Sequence, residues 1–224
     1  MSKSDHRQKE KARAREKSDE RKRVVLRVLE GCDEVGTKKL AELAVTGVVP
    51  TCAEGCSHCC RLEIPISRAE GEVLVDWLVT NRPPAALDAI RVRLRAWLAW
   101  YRTDYVALLA SGLSRSEAFA KHAPLCSLLE DNRCGGYSAR PITCRNHYVS
   151  SPVAECDPAT TTREPDPIYA VSMAARTHVV ELHNLVSRQG GDYRATIHLI
   201  AEWLAHLLEV EREPWQGSPP LDLG

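Results

Sequence analysis

The stretch Cys52-Ala-Glu-Gly-Cys56-Ser-His-Cys59-Cys60 sets four cysteines within nine residues, and Cys126, Cys134 and Cys144 follow downstream. Thiolates held this close repel one another and oxidise unless a cation sits among them, so the first expectation is a metal site drawing on these sulfurs. Two to four residues between ligands let a loop turn back and aim both at one centre, a condition that Cys52-x-x-x-Cys56-x-x-Cys59 meets. Cys60 follows Cys59 directly, and neighbouring side chains diverge in extended backbone, which leaves Cys60 for a second metal or for a reactive role. Cys144 lies just after Arg140-Pro141, where a proline at a helix start fixes the direction of a side chain one turn on, and is expected to be a ligand. These thiols exceed the four that one tetrahedral zinc or one cubane cluster takes, so either two metals share sulfurs or one cluster leaves free thiols beside it. The expected cofactor is zinc or iron, the iron in the form of a four-iron four-sulfur cluster. Set against this is a mere assortment of buried free cysteines, which the short spacings disfavour.

His58 and His147 sit inside the two cysteine blocks and are expected beside the ligands rather than among them, because sulfur is already in excess. The other helical histidines lack the i, i+4 pairing of a metal site. Arg140 and Arg145 bracket Cys144; guanidinium groups there would offset cluster charge, raise a reduction potential or hold an anionic substrate. Ion pairs with Glu130 or Asp131 are the plainer alternative.

The chain has 224 residues, 44% of them hydrophobic, which suffices for one real core. Lys+Arg and Asp+Glu balance at 30 each, so no global field draws the protein to nucleic acid or membrane. The N-terminus is charged where a signal peptide needs an apolar run, and no stretch approaches the roughly 18 apolar residues of a membrane helix. The expected location is therefore the cytoplasm, with no membrane partner, and in that reducing compartment the nine cysteines stay free for metals or catalysis. An odd count also excludes complete disulfide pairing.

Residues 1–22 are nearly all charged or polar and are expected as a disordered tail or frayed helix. Bases do not alternate with aromatics there, so nucleic-acid binding has little support. Helical spacing recurs over Val24–Leu29 and Lys38–Ala44, with breaks expected at Gly31 and Gly36 and a lone buried Cys32 between. Leu62–Ile66 alternates like a strand. Ser67 with Glu70 forms a capping box for a helix through Leu78 to about Asn81, and Ser114 with Glu117 forms another. Apolar positions from Leu87 to Leu108 predict a long helix whose aromatics form a core stripe. A small hairpin turning at Asp131-Asn132 carries Cys126 and Cys134, residues 151–167 look like a linker, and two helices follow, faced by Ile168 to Val186 and by Tyr193 to Leu208, with Gly190-Gly191 between. The fold class is mainly α: an irregular cysteine-cluster region with a small β-hairpin, surrounded by amphipathic helices. Residues 23–212 form one domain with its core motif at about 50–150, and 213–224 a loose tail.

Together the blocks Cys52-Ala-Glu-Gly-Cys56-Ser-His-Cys59-Cys60, Pro124-Leu-Cys126-Ser-Leu-Leu129, Cys134-Gly-Gly-Tyr137 and Arg140-Pro141-Ile-Thr-Cys144-Arg145 resemble the YkgJ-type cysteine-cluster family, described as zinc- or iron-chelating domains. The first spacing is one residue longer than the family's C-x-x-C-x-x-C-C motif, and Leu128 stands where the family has Phe. The resemblance implies metal chelation by Cys52, Cys56, Cys59, Cys60, Cys126, Cys134 and Cys144. Flagellin lysine methylases carry a similar cluster, which implies iron-sulfur redox or methyl-transfer chemistry as the alternative function. No strand, Gly-rich turn and helix marks an ordinary nucleoside site.

Overall fold

The computed structural model describes residues 3–53, 55–157, 165–189 and 191–210, and no helix among them is long and apolar enough to cross a membrane. The fold is mainly α with two small antiparallel sheets of two strands each. Residues 158–164 of the expected linker, Gly190 and the expected tail at 213–224 lie outside the described residues.

Helix α1 (Lys3–Val45) runs unbroken through Gly31 and Gly36, where breaks were expected. Gly31 instead lets another helix, α7 (Tyr169–Arg188), approach, whereas Gly36 faces α7 with room for a side chain. A Cβ at Gly31 would fall 2.6 Å from His178 Nδ1 and 2.9 Å from its Nε2, and one at Gly36 would meet Val171 Cγ1 at 3.5 Å. The apolar face Val25, Val28, Leu29 and Cys32 is buried against Ala175, Leu182 and Leu185, each large aliphatic contributing roughly 1.5–3 kcal/mol. Residues 3–22 are part of α1 rather than a separate tail. From Lys17 onward its polar side chains reach the body: Arg21 Nη1 donates to Gln189 Oε1 at 3.1 Å, Ser18 Oγ to Glu72 at 3.3 Å, and Lys22 pairs with Asp76.

Strand β1 (Pro65–Ser67) leads into α2 (Arg68–Asn81), and the capping box forms: Ser67 N donates to Glu70 Oε2 at 2.8 Å and Glu70 N to Ser67 Oγ at 3.3 Å. Helix α2 has two buried sides. Ala69 and Val73 belong to the core made with α1 and α7, whereas Leu74, Val75 and Leu78 belong to a second core. That second core includes α3 (Pro84–Arg102), α4 (Asp104–Ala110) and α5 (Arg115–His122). The single helix expected through Leu108 is split at Thr103, whose hydroxyl donates to the Ala99 carbonyl at 2.7 Å and competes with the backbone ladder. Its aromatics do form a core stripe, with Trp97 stacked on Tyr101 at 5.0 Å and Trp100 edge-on to Phe119 at 5.4 Å.

Strands β2 (Leu129–Glu130) and β3 (Arg133–Cys134) make the expected hairpin, and Asp131 and Asn132 both take the positive φ that a two-residue turn needs. A short α6 (Ile142–Asn146) follows Pro141, which caps it rather than occupying its first turn. After α7, the expected helix from Tyr193 is replaced by β4 (Ile197–Leu199), paired with β1 so that Ile66 faces His198. Helix α8 (Ile200–Leu207) starts only there, because Leu199 N donates to Glu202 Oε2 at 3.1 Å and Ile200 N to the Ile64 carbonyl at 2.9 Å.

If Gly31 exists to admit the His178 ring, Gly31→Ala will destabilise the protein despite the helix preference for Ala of about 1 kcal/mol. In a His178→Ala background the same change should be neutral or stabilising by up to about 1 kcal/mol. Urea unfolding of the four proteins measures this, and equal effects in both backgrounds would refute it.

Candidate functional site

The cysteines sit on short, irregular segments fastened to the helical body by backbone hydrogen bonds. Cys52 and Cys56 lie in the loop after α1, which turns at Gly55 (φ 87°) and is tethered by Thr51 N to the Val149 carbonyl at 3.0 Å. Cys59 and Cys60 occupy a single 3-10 turn, His58–Arg61. That helical backbone keeps their side chains on neighbouring sides, so the divergence expected of an extended chain does not arise. Cys126 N donates to the Cys60 carbonyl at 2.8 Å, joining the two blocks directly. Cys134 is on β3 and Cys144 on α6.

Eight cysteines gather in this region. The charges of Cys60, Cys126, Cys134 and Cys144 act on one another and on Cys59. Cys56 and Cys59 also act on Cys52. Cys156, on a 3-10 turn at Val153–Cys156, joins Cys52, Cys56 and Cys59, although nothing in its Pro- and Thr-rich surroundings pointed to it. Cys59 thus belongs to both neighbourhoods. Cys32 stands apart, 1% exposed and hydrogen-bonded to Asn146, as its isolation in the sequence suggests. None of the cysteines forms a disulfide. Among the described residues no three cysteine, histidine or carboxylate side chains surround a single point closely enough to hold a metal as they stand.

Burial dominates the acidity of most of these thiols. It pushes Cys126 up to about 11 and raises Cys144, Cys134, Cys52 and Cys156 above the ordinary thiol value. Cys59 is the exception: a hydrogen bond from the Cys60 thiol stabilises its thiolate and brings its pKa down to about 7, with help from the Arg140 guanidinium. The same bond holds the proton on Cys60, whose pKa is raised. Cys59 is therefore the more acidic thiol of the pair. Burial also lowers the pKa of His147, keeping the imidazole neutral.

Two buried polar groups hold the segment of Cys144. Glu70, at 5% exposure, caps its own helix and also accepts from Ile142 N at 3.1 Å, the first amide of α6. Arg145 pairs with Asp33 of α1 and donates through Nε to the Arg140 carbonyl at 2.7 Å and through Nη2 to the Ser138 carbonyl. Neither arginine uses Glu130, which pairs with Arg82 and Arg93.

No protein-family model, no curated protein and no solved structure matches this chain. The likeness to cysteine-cluster proteins therefore remains a likeness of motifs.

Iodoacetamide applied to metal-free protein should modify Cys59 first, at a rate that rises through about pH 7 and levels above it, while Cys60 reacts later. Peptide mapping by mass spectrometry reads the order, and earlier labelling of Cys60 would overturn it. For Glu70, burial raises the pKa, so the folded protein keeps this proton to higher pH than the unfolded chain. Its stability advantage over Glu70→Gln should be greatest below about pH 4.3 and shrink as pH rises from there through the folded-state value. Urea titrations across that range test the sign, and a constant difference would sink it.

Proposed function

We propose that this is a cysteine-rich metal-binding protein that takes zinc or iron, the iron in an iron-sulfur cluster. The observation that carries this reading is the gathering of eight free thiols, brought by the loop after α1, a 3-10 turn, the hairpin region, α6 and a second 3-10 turn. A set of this kind, dominated by soft sulfur with neutral His147 alongside, suits zinc or iron-sulfur ligation and not a hard cation such as magnesium. Cys60, Cys126, Cys134 and Cys144, sharing Cys59, are the inner donors; Cys52, Cys56 and Cys156 are the outer ones. Binding draws these thiols together and displaces their protons, so affinity rises with pH.

A second reading, an iron-sulfur enzyme working by redox or methyl transfer, draws on the acidic Cys59 beside Arg140. In that case Cys59, not Cys60, is the working thiol.

Elemental analysis of anaerobically purified protein separates the metals, and colour separates the readings: brown protein with iron and sulfide keeps the enzyme open, whereas colourless zinc protein excludes it. Cys144→Ser and Cys126→Ser should each lower the metal content sharply, and Cys32→Ser should leave it unchanged. Metal-free protein from every preparation, or equal losses from Cys32→Ser and Cys144→Ser, would contradict the proposal.

A further inference from the structure

A cleft of about 470 Å³ opens between the second half of α1 and the segment Tyr137–Tyr148, on the side of the cysteine region where Cys32 lies. Its volume suits a small ligand. Two arginines line it, and they differ. Arg145, 7% exposed, is committed to Asp33 and to the carbonyls of Ser138 and Arg140, so its charge is balanced and its role is to hold the turn. The Arg140 guanidinium has no ion pair and no side-chain hydrogen bond among the described residues. It lies over the Tyr137 ring at 4.2 Å, and its Nε is buried without a partner. Stacking fixes the plane of the fork, and of its donors Nε is the one buried without a partner.

A buried donor without a partner is costly, and the group that matches a guanidinium fork is a planar or tetrahedral oxyanion. Thr37 and Tyr148 add hydroxyls to the same cleft, and the one carboxylate there, Asp33, is already paired with Arg145. We propose that this cleft binds a small molecule through a carboxylate or phosphate group, with Arg140 as the anchoring residue and Tyr137 as the surface that holds the guanidinium flat. Because the Arg140 charge also reaches Cys59, Cys134 and Cys144, the anion binds beside the thiols, within their electrostatic reach. The assignment stands on the cleft and on Arg140 and does not require the metal reading.

The test is calorimetric titration of the full-length protein as purified, in a buffer free of competing oxyanions, with inorganic phosphate in one arm and succinate in the other. Saturable binding is expected in at least one arm, and the arm that responds distinguishes the phosphate from the carboxylate source. Arg140→Gln should weaken it by about tenfold or more, and Tyr137→Ala by less, with circular dichroism unchanged. The ¹⁵N-labelled Arg140 Nε–H resonance should shift on titration in the unmutated protein, a readout that needs no variant to fold. Absence of saturable binding in both arms overturns the proposal. So does binding that Arg140→Gln leaves intact, or an Arg140 resonance that does not move. Loss of metal from Arg140→Gln without anion binding by the unmutated protein would assign Arg140 to cluster charge compensation instead.

Discussion

The constraint on which the arrangement depends is the burial of one carboxylate, Glu70. It caps α2 through Ser67 and, with its other oxygen, accepts from Ile142 N, so a single side chain joins the start of the central helix to the start of the helix bearing Cys144. Burying a carboxylate is expensive unless hydrogen bonds compensate, and here two backbone amides and one hydroxyl do so. Removing it would strand both amides, at about 1–3 kcal/mol each. Such a group cannot drift, which is why α6 is fixed although it has only five residues.

From this point outward the chain separates support from chemistry. Two apolar cores meet at α2, one with α1 and α7 and the other with α3, α5 and α8, and they supply the burial that the cysteine segments lack. The segments themselves are fastened by few bonds, such as Cys126 N to the Cys60 carbonyl and Gly135 N to the Leu128 carbonyl at 2.7 Å. Leu128 and Ala139 reach into the core beneath them. A region built this way has its backbone positioned by the body, with the thiols carried on short segments that meet over the core.

Local signals were legible in the sequence. Both capping boxes, the hairpin turn at Asp131-Asn132 and the aromatic stripe of α3 follow from residue types at short spacing, and each forms. What was not legible depends on partners far along the chain. Gly31 marks close helix packing as readily as a helix end, and only α7 decides between them. The pairing of Pro65–Ser67 with Ile197–Leu199 overrides a helical pattern because Ile64 and Ile66 offer backbone partners that the sequence around Tyr193 cannot reveal. Cys156 lacks a neighbouring cysteine at ligand spacing and comes near Cys52 and Cys56 only through the fold. The relation of Cys59 to Cys60 depends on a 3-10 turn, which adjacent cysteines in a sequence do not announce.

That turn has a further consequence for the order in which the thiols ionise. Burial opposes charge on Cys126, Cys134 and Cys144, and each negative sulfur nearby opposes it more, so the inner group resists deprotonation as a set. Only Cys59, with a donor from Cys60 and the positive charge of Arg140, ionises near neutrality. On the proposed metal-binding reading, a cation would meet one thiolate first. Its charge would then lower the cost of ionising the neighbours, since an opposite charge favours the charged form that burial disfavours. Arg140 would contribute to the first of these steps, and the same side chain lines the cleft, where its Nε is buried without a partner.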